Sequence, residues 1–278
     1  MSAHPDTRPG FARVRKVDSG RIQKQSVRVE NTFLGAEQVG ERTEQRLWEQ
    51  GATRWEAFDR SYRGIGSTRA ERIEQYIDGG RDALADGDVD FFHERFPTRE
   101  RWRLYESFRE RTCFFDIETT GLDADSSVVT TVTLHQNGET QTLVRGDDLT
   151  RERLGAAFEP AALLVTFNGA RFDIPFLRSS FGLDLDRPHI DLLPTCRRAG
   201  LRGGLDTVED RLGIDRALPD IGGRDAIRLW RNHERGVDGA LEKLIAYNRE
   251  DTENMVPVLE QTVDRLDREL LPDETVNG

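Results

Sequence analysis

Short apolar and β-branched runs in the second half of the chain predict the strands of a sheet. The runs over residues 112–118 and 162–167 have the length and composition of buried strands. Two β-branched segments, 127–135 and 140–145, flank the Asn-Gly pair at 137–138, which is typical of a β-hairpin turn. We therefore expect an antiparallel three-strand meander followed by a further strand, with the 112–118 strand in the middle of the sheet.

Helical periodicity dominates the rest of the chain. Residues 31–90 show no strand-like alternation, and residues 98–110 predict a connecting helix with Thr98 as its N-cap. An α/β order of elements therefore begins near residue 111, after an all-α region. The later predicted helices are residues 149–158, 172–181, 204–212, 223–234 and 238–269.

This pattern divides the chain into five segments. Residues 11–30 carry six Lys or Arg against two acidic residues, so the first segment is either a solvated arm or an arm that binds phosphate. The predicted segments are a flexible basic arm (1–30), a helical module (31–92), a linker helix (93–110), an α/β domain (111–270) and a tail (271–278).

Composition narrows the class of protein. The 278-residue chain has a net charge of −11, and only three of its 40 Lys and Arg residues are lysine, which indicates adaptation to a salty cytoplasm. Two cysteines without a CxxC spacing argue against a structural zinc site and a disulfide scaffold. The chain has no apolar run of membrane-spanning length, and its first ten residues lack a signal-peptide core. We expect a cytoplasmic protein with no membrane partner.

An internal repeat lies in the helical module. The segments QVGERTEQRL (38–47) and GIGSTRAERI (64–73) align with an offset of 26 residues. Each has a short turn with glycine, at Gly40 or at Gly64 and Gly66, before a predicted helix start. Glycine permits close approach of the backbone, and a helix N-terminus offers free N–H groups to an anion.

The repeat resembles a tandem helix-hairpin-helix module. The resemblance implies binding of the nucleic-acid backbone, without reading of sequence, at Gly40, Gly64 and Gly66. Gln38 departs from the family pattern, which has glycine at that place, so the first copy is either a contact or only a packing element. Two ordinary helix turns are the alternative for either copy alone.

Acidic residues stand at the ends of the predicted buried elements. In CFFDIETTGL (113–122), Asp116 and Glu118 lie two residues apart on a strand, so both point to one face at a separation of about 6.5 Å. In YNRED (247–251), Tyr247 and Asp251 lie four residues apart and share a helix face.

A third acidic segment, TFNGARFDIPFL (166–177), places Asp173 near the start of a helix, where the helix dipole alone would also favour an acid. In the preceding turn, Asn168 either shapes the backbone or contacts substrate. Asp191 either approaches the same site or caps the helix that follows it. Tyr247 taken alone is more typical of a core residue on an amphipathic helix.

Four converging acids would repel each other and raise their pKa values unless a cation joined them. Mg²⁺ prefers hard oxygen ligands, and two such ions about 3.5–4 Å apart can hold a phosphodiester between them. The acidic segments therefore predict a divalent metal site.

Together the three segments resemble the exonuclease motifs of the DEDD superfamily, in the branch that has tyrosine in the third motif. The second motif is also similar to that of family B DNA polymerase proofreading domains. Residues 95–268 resemble the YprB-like ribonuclease H-like proteins. This resemblance implies a three-layer ribonuclease H-like α/β fold with a mixed central sheet, here preceded by a small all-α helix-hairpin-helix domain.

The resemblance also implies a function. Asp116, Glu118, Asp173 and Asp251 would bind two Mg²⁺ or Mn²⁺ ions, and Tyr247 would orient the attacking water. The expected activity is 3′-5′ exonucleolytic hydrolysis of single-stranded nucleic acid, with DNA favoured over RNA because helix-hairpin-helix modules mostly bind DNA. A catalytically silent binding module and an endonuclease of the same fold are the alternatives.

Overall fold

A five-stranded mixed sheet forms the centre of the computed structural model, which describes residues 27–270. The strand order is β3-β2-β1-β4-β5, in which β1 pairs antiparallel with β2 and parallel with β4. The first strand therefore lies in the middle of the sheet, as predicted. The strands are β1 (Thr112–Thr119), β2 (Val129–Gln136), β3 (Glu139–Val144), β4 (Leu163–Thr166) and β5 (His189–Asp191).

Ten α-helices and four short 3-10 segments accompany the sheet within residues 27–270. The 3-10 segments are Val29–Asn31, Trp55–Ala57, Thr98–Leu104 and Arg109–Arg111. The α-helices are α1 (Glu41–Glu49), α2 (Ser67–Asp86), α3 (Asp90–Arg95), α4 (Tyr105–Phe108), α5 (Arg151–Phe158), α6 (Asp173–Phe181), α7 (Leu192–Arg198), α8 (Leu205–Leu212), α9 (Gly223–Glu234) and α10 (Ala240–Leu270).

Helices cover both faces of the sheet, which gives the predicted three-layer α/β architecture. Alternate residues of β1 enter different cores: Phe114 joins the cluster formed with α7, α8 and α10, whereas Phe115 and Ile117 join the cluster formed with α5 and α6. Because strand side chains alternate between faces, Asp116 and Glu118 point to the same side as Phe114, towards α10.

One prediction about local structure is wrong. Residues 98–110 do not form one helix: a 3-10 segment, the four-residue α4 and a second 3-10 segment follow each other, and Pro97 rather than Thr98 precedes the first. Proline fixes its own φ and has no N–H, so it starts the segment with extended backbone. The edge strand β5 is not predicted from the sequence, because three residues carry too little periodicity. The alternative in which Asp191 caps the following helix is confirmed.

The repeat in the sequence is also a repeat in the structure. In each copy a 3-10 segment, a turn and an α-helix follow in the same order, ending in α1 or α2. Gln38 and Gly64 occupy equivalent places and both adopt left-handed backbone, with φ of 63° and 81°. Gly40 and Gly66 are the extended N-caps of the two helices. Gln38 thus takes the conformation that favours glycine.

The N-terminal helical region shares its core with the sheet. Trp55 and Ile73 belong to the same apolar cluster as Val165 of β4 and Leu259 of α10. The predicted segment boundaries at 92/93 and 110/111 therefore do not interrupt the packing. Of the predicted flexible arm, residues 1–26 lie outside the described residues, and so does the predicted tail at 271–278; Val27 and Val29 are buried in this cluster.

Buried charges reinforce this contact. The guanidinium of Arg103 lies 2.8 Å from carboxylate oxygens of both Glu44 and Glu100, and Arg198 of α7 lies 2.9 Å from the other oxygen of Glu100. Arg103, Glu44 and Glu100 are almost completely buried. Removing one member would leave an uncompensated buried charge, so the network fixes α1 against α7.

The start of the described chain is tied to its last helix. The backbone N–H of Val27 donates to a carboxylate oxygen of Asp267 in α10 at 3.2 Å. Burial raises the pKa of Asp267 to about 7. Among residues 27–270, no helix combines the length and the apolar character needed to cross a bilayer.

We predict that Gln38→Gly stabilises the protein by about 0.5–1 kcal/mol, because it relieves the left-handed strain of a residue with a Cβ. The matched variant Gly64→Ala should destabilise by about 1–2 kcal/mol, since a Cβ there meets only one atom, at 3.9 Å, and the cost is conformational. Denaturant unfolding in high KCl measures both. Equal stability of Gln38→Gly and the parent would contradict a left-handed Gln38.

We predict that Asp267→Asn stabilises the protein at pH 8 and has little effect at pH 4.5. The raised pKa means that the folded state holds a proton that the unfolded chain releases, so this group's contribution to stability is lost as pH rises from about 4 to 7. The gain at pH 8 should be about 2–4 kcal/mol. Denaturant unfolding at both pH values measures it, with Asp125→Asn, at an exposed acid between β1 and β2, as control; a gain that does not depend on pH would refute the assignment.

Candidate active site

Three carboxylates meet beside β1. Asp116 and Glu118 come from the strand and Asp251 from α10, and one oxygen from each residue lies within 4.8 Å of the other two. The strand supplies its two acids on one face because they are two residues apart. α10 packs across that face, with Tyr247 and Asp251 on its buried side.

Asp173 lies next to this trio but is not part of it. It is the first residue of α6 and is buried, and its carboxylate accepts a hydrogen bond from the backbone N–H of Ile117 at 3.2 Å. That bond holds Asp173 against the β1 residue between Asp116 and Glu118. The structure therefore brings all four predicted acids to one place, with three of them in direct mutual contact range.

Asn248 holds Asp116 in place. Its amide N–H₂ donates to Asp116 at 2.7 Å, and its amide oxygen accepts from the hydroxyls of Thr131 and Thr133 at 2.9 and 2.7 Å. Asn248 is fully buried, and both threonines lie on β2, the antiparallel neighbour of β1. This chain of bonds fixes the carboxylate of Asp116 relative to the sheet.

The carboxylates are electrostatically unfavourable without a cation. Burial, together with the neighbouring carboxylates, raises the pKa values of Asp116 and Glu118 well above their usual range. Burial raises the pKa of Asp173 to about 7 and that of Asp251 to about 6. The folded state thus holds protons that the unfolded chain would release, so these acids oppose folding as pH rises.

The donor set fits a divalent cation. It consists of hard carboxylate oxygens, the ligands that Mg²⁺ and Mn²⁺ prefer, and bound positive charge would remove the repulsion that raises their pKa values. Asp116, Glu118 and Asp251 would hold such an ion, with Asp173 beside them.

The turn before α6 is built around Asp191. Its carboxylate accepts from the backbone N–H of Asn168 at 2.8 Å, of Ala170 at 3.3 Å and of Leu193 at 3.0 Å. Asn168 has left-handed backbone, with φ of 67°, and a Cβ on Gly169 would lie 2.3 Å from the hydroxyl of Thr166. Asp191 therefore caps α7 and also shapes the turn that leads to Asp173.

Tyr247 and Arg216 both lie next to Asp251. Burial and the nearby carboxylates raise the pKa of Tyr247, so its hydroxyl stays protonated at any physiological pH. The guanidinium of Arg216 contacts Asp251 and the fully buried Glu209, and its central carbon lies 6.0 Å from the centre of the Tyr247 ring.

The glycines of the N-terminal repeat lie outside the carboxylate cluster. Gly40, Gly64 and Gly66 are exposed at the turns before α1 and α2. They form a separate surface feature of the molecule.

Sequence reasoning missed Asn248 and Arg216. Asn248 stands three residues before Asp251 on the same helix, so helical spacing could have indicated that it faces the site. Arg216 lies 35 residues before Asp251, in the connection between α8 and α9, and no local pattern marks it.

Comparison with known proteins agrees with the observed α/β fold. The family profile described as the RNase_H superfamily matches residues 113–263, which include all four acids and Tyr247. A search of curated proteins finds no match to this chain.

Several solved structures are similar to it. A structure described as the apo form of the nuclease is 19% identical with a TM-score of 0.44, and the match covers 58% of this chain and 76% of that one. The family B DNA polymerase of the archaeon Pyrobaculum calidifontis is 16% identical with a TM-score of 0.41, covering 57% of this chain and 26% of the polymerase. Brucella melitensis NrnC with bound Mg²⁺ is 16% identical with a TM-score of 0.40, covering 59% and 79%.

We predict that Asn248→Ala weakens binding of Mn²⁺ by about tenfold or more, because Asp116 loses the donor that orients it. Stability should fall by about 2–3 kcal/mol, since two threonine hydroxyls and a carboxylate lose a buried partner. Calorimetric titration and denaturant unfolding measure the two effects. Asn254→Ala, six residues further along α10, is the control, and equal effects of the two substitutions would contradict a positioning role.

Proposed function

This chain belongs to the RNase_H superfamily, and we propose that it is a metal-dependent nuclease that removes nucleotides from the 3′ ends of single-stranded nucleic acid. The observation that carries the proposal is the meeting of Asp116, Glu118 and Asp251, with one oxygen of each within 4.8 Å of the others. Negative charge concentrated in this way would repel the phosphates of nucleic acid unless divalent cations lay between them.

The four acids would each serve the metal site. We propose that Asp116, Glu118, Asp173 and Asp251 hold two Mg²⁺ or Mn²⁺ ions. Bound there, such ions activate water for attack and stabilise the leaving oxygen of a phosphodiester. Asn248 keeps Asp116 oriented, and the N–H of Ile117 keeps Asp173 beside the strand.

Tyr247 would orient the attacking water. Its raised pKa keeps the hydroxyl protonated, so it can donate to or accept from a water without carrying charge. Its place one helical turn before Asp251 puts it at the edge of the carboxylates. Hydrolysis by this arrangement is in line and leaves a 5′-monophosphate on the released nucleotide and a 3′-hydroxyl on the strand.

The N-terminal repeat would bind the backbone of the substrate. The second turn suits this role better than the first: Gly64, Gly66 and Arg63 are exposed, and the first turn of α2 has no acidic residue. The first turn of α1 carries the exposed Glu41, which weakens the attraction of its N-terminus at Gly40 for phosphate. If the module binds nucleic acid as helix-hairpin-helix modules do, DNA is the expected substrate rather than RNA.

We predict shortening of a 5′-labelled single-stranded DNA oligonucleotide from its 3′ end in the presence of Mn²⁺ or Mg²⁺. An RNA strand of the same sequence should be tested beside it, in low and high KCl, to determine whether the enzyme prefers DNA or RNA. Asp116→Ala should reduce the rate by at least about a hundredfold, because it removes a metal ligand.

The control for this assay is Asp125→Ala, which removes an exposed acid from the connection between β1 and β2 and should leave the rate unchanged. Discrete internal cuts would identify an endonuclease instead. Absence of metal-dependent cleavage of either strand by folded protein, with nucleic-acid binding retained, would identify a silent binding module.

A further inference from the structure

The connection between α8 and α9, residues 213–222, is fastened to the same turn of α10 that carries Asp251. The carboxylate of Glu250 accepts from the backbone N–H groups of Ala217 and Leu218, the second at 3.1 Å. Leu218 and Ile221 pack in the apolar cluster that contains Tyr247. The connection therefore has a fixed position beside the carboxylates.

Arg216 extends from this connection between two carboxylates. Its Nε and Nη2 form a fork with the two carboxylate oxygens of Glu209, and Nη2 also donates to Oδ1 of Asp251. Glu209 is fully buried, and only 10% of the Arg216 side chain is exposed. The fork makes Glu209 the anchor of the guanidinium, while the contact with Asp251 uses a single nitrogen.

A metal ion and Arg216 would both bind the carboxylate of Asp251. This carboxylate belongs to the trio that offers oxygens to a cation, and its Oδ1 already accepts from Arg216. The guanidinium supplies the positive charge that opposes the effect of burial on Asp251, so the metal-free site is partly neutralised by the protein itself. A divalent ion that took Oδ1 of Asp251 as its ligand would break this contact.

We propose that Arg216 is a built-in competitor of the divalent cation: it holds Asp251 in the metal-free protein and releases it when metal binds. This inference rests on the proposed metal site. Because the fork with Glu209 keeps the guanidinium in place, release of Asp251 breaks one contact without moving the connection. Arg216 would thereby set the concentration of metal at which the site fills.

The test is calorimetric titration of metal-free protein with MnCl₂ in about 1 M KCl, where solvent-exposed charges more than about 3 Å apart are largely screened and the buried pair of Arg216 and Asp251 is screened much less. Arg216→Gln should bind Mn²⁺ about tenfold more tightly than the parent. Arg249→Gln is the matched control, since Arg249 lies on α10 two residues from Asp251 and contacts Glu253 and the carbonyl of Thr140 instead. Its affinity should equal that of the parent.

Glu209 provides a second test, since Glu209→Gln removes the anchor of the guanidinium and keeps Arg216 itself. Glu209→Gln should weaken binding of Mn²⁺. Of its two carboxylate partners the guanidinium then keeps only Asp251, so it holds Asp251 more strongly against the metal. The double variant Glu209→Gln/Arg216→Gln leaves no buried charge unpaired at the fork and should bind Mn²⁺ about as tightly as Arg216→Gln. The effect of Glu209→Gln should thus depend on Arg216.

The outcomes are distinct. Unchanged or weaker binding of Mn²⁺ by both Arg216 variants would refute competition and indicate that Arg216 orients Asp251 for the metal. An equal loss from Glu209→Gln with and without Arg216 would refute the anchoring role of the fork. Failure of the parent to bind Mn²⁺ more tightly than Asp116→Ala would instead refute the proposed metal site itself.

Discussion

The central constraint on this molecule is the repulsion among carboxylates that the fold brings together at one face of β1. Four acids lie where burial and proximity both favour their neutral forms. Apolar packing on the two faces of the sheet supplies the free energy that holds them there. The site is therefore a local cost to stability that the rest of the structure offsets, as is common where function requires an unfavourable arrangement.

The protein relieves this repulsion one carboxylate at a time. Asp116 has the amide of Asn248, Asp173 has the backbone N–H of Ile117, and Asp251 has the guanidinium of Arg216. These partners differ in strength, since an amide or a backbone N–H orients a carboxylate while a guanidinium also neutralises it. A cation that binds Asp251 would therefore have to displace a charged partner, Arg216, from its carboxylate.

Local patterns predicted those features that depend on local geometry. The period of two in β1 places Asp116 and Glu118 on one face, and helical spacing places Tyr247 and Asp251 together. The hairpin at 137–138 forms with left-handed backbone at both residues, because Asn and Gly tolerate it. The repeat could be recognised in the sequence because turns of the same geometry need similar residues. Gln38 has left-handed backbone, so tertiary context there overrides the preference of that conformation for glycine.

Features that depend on distant partners could not be predicted in this way. Arg216 reaches Asp251 from a connection without periodicity, and Asn248 is identified by the β2 threonines that surround it. The strand β5 exists because β4 offers it a pairing edge, since three residues have no preference strong enough to form a strand alone. Buried charges such as Arg103 likewise look like surface residues until their partners are known.

The bond between Val27 and Asp267 has a consequence for synthesis of the chain. It joins residues 240 positions apart, and the N-terminal repeat shares its core with α10, the last described helix. A ribosome releases the N-terminal helices long before α10 emerges, so their apolar faces lack their final partners during most of translation. The N-terminal helices can therefore complete their core only after α10 has left the ribosome, and their apolar faces stay uncovered for longer than those of later elements.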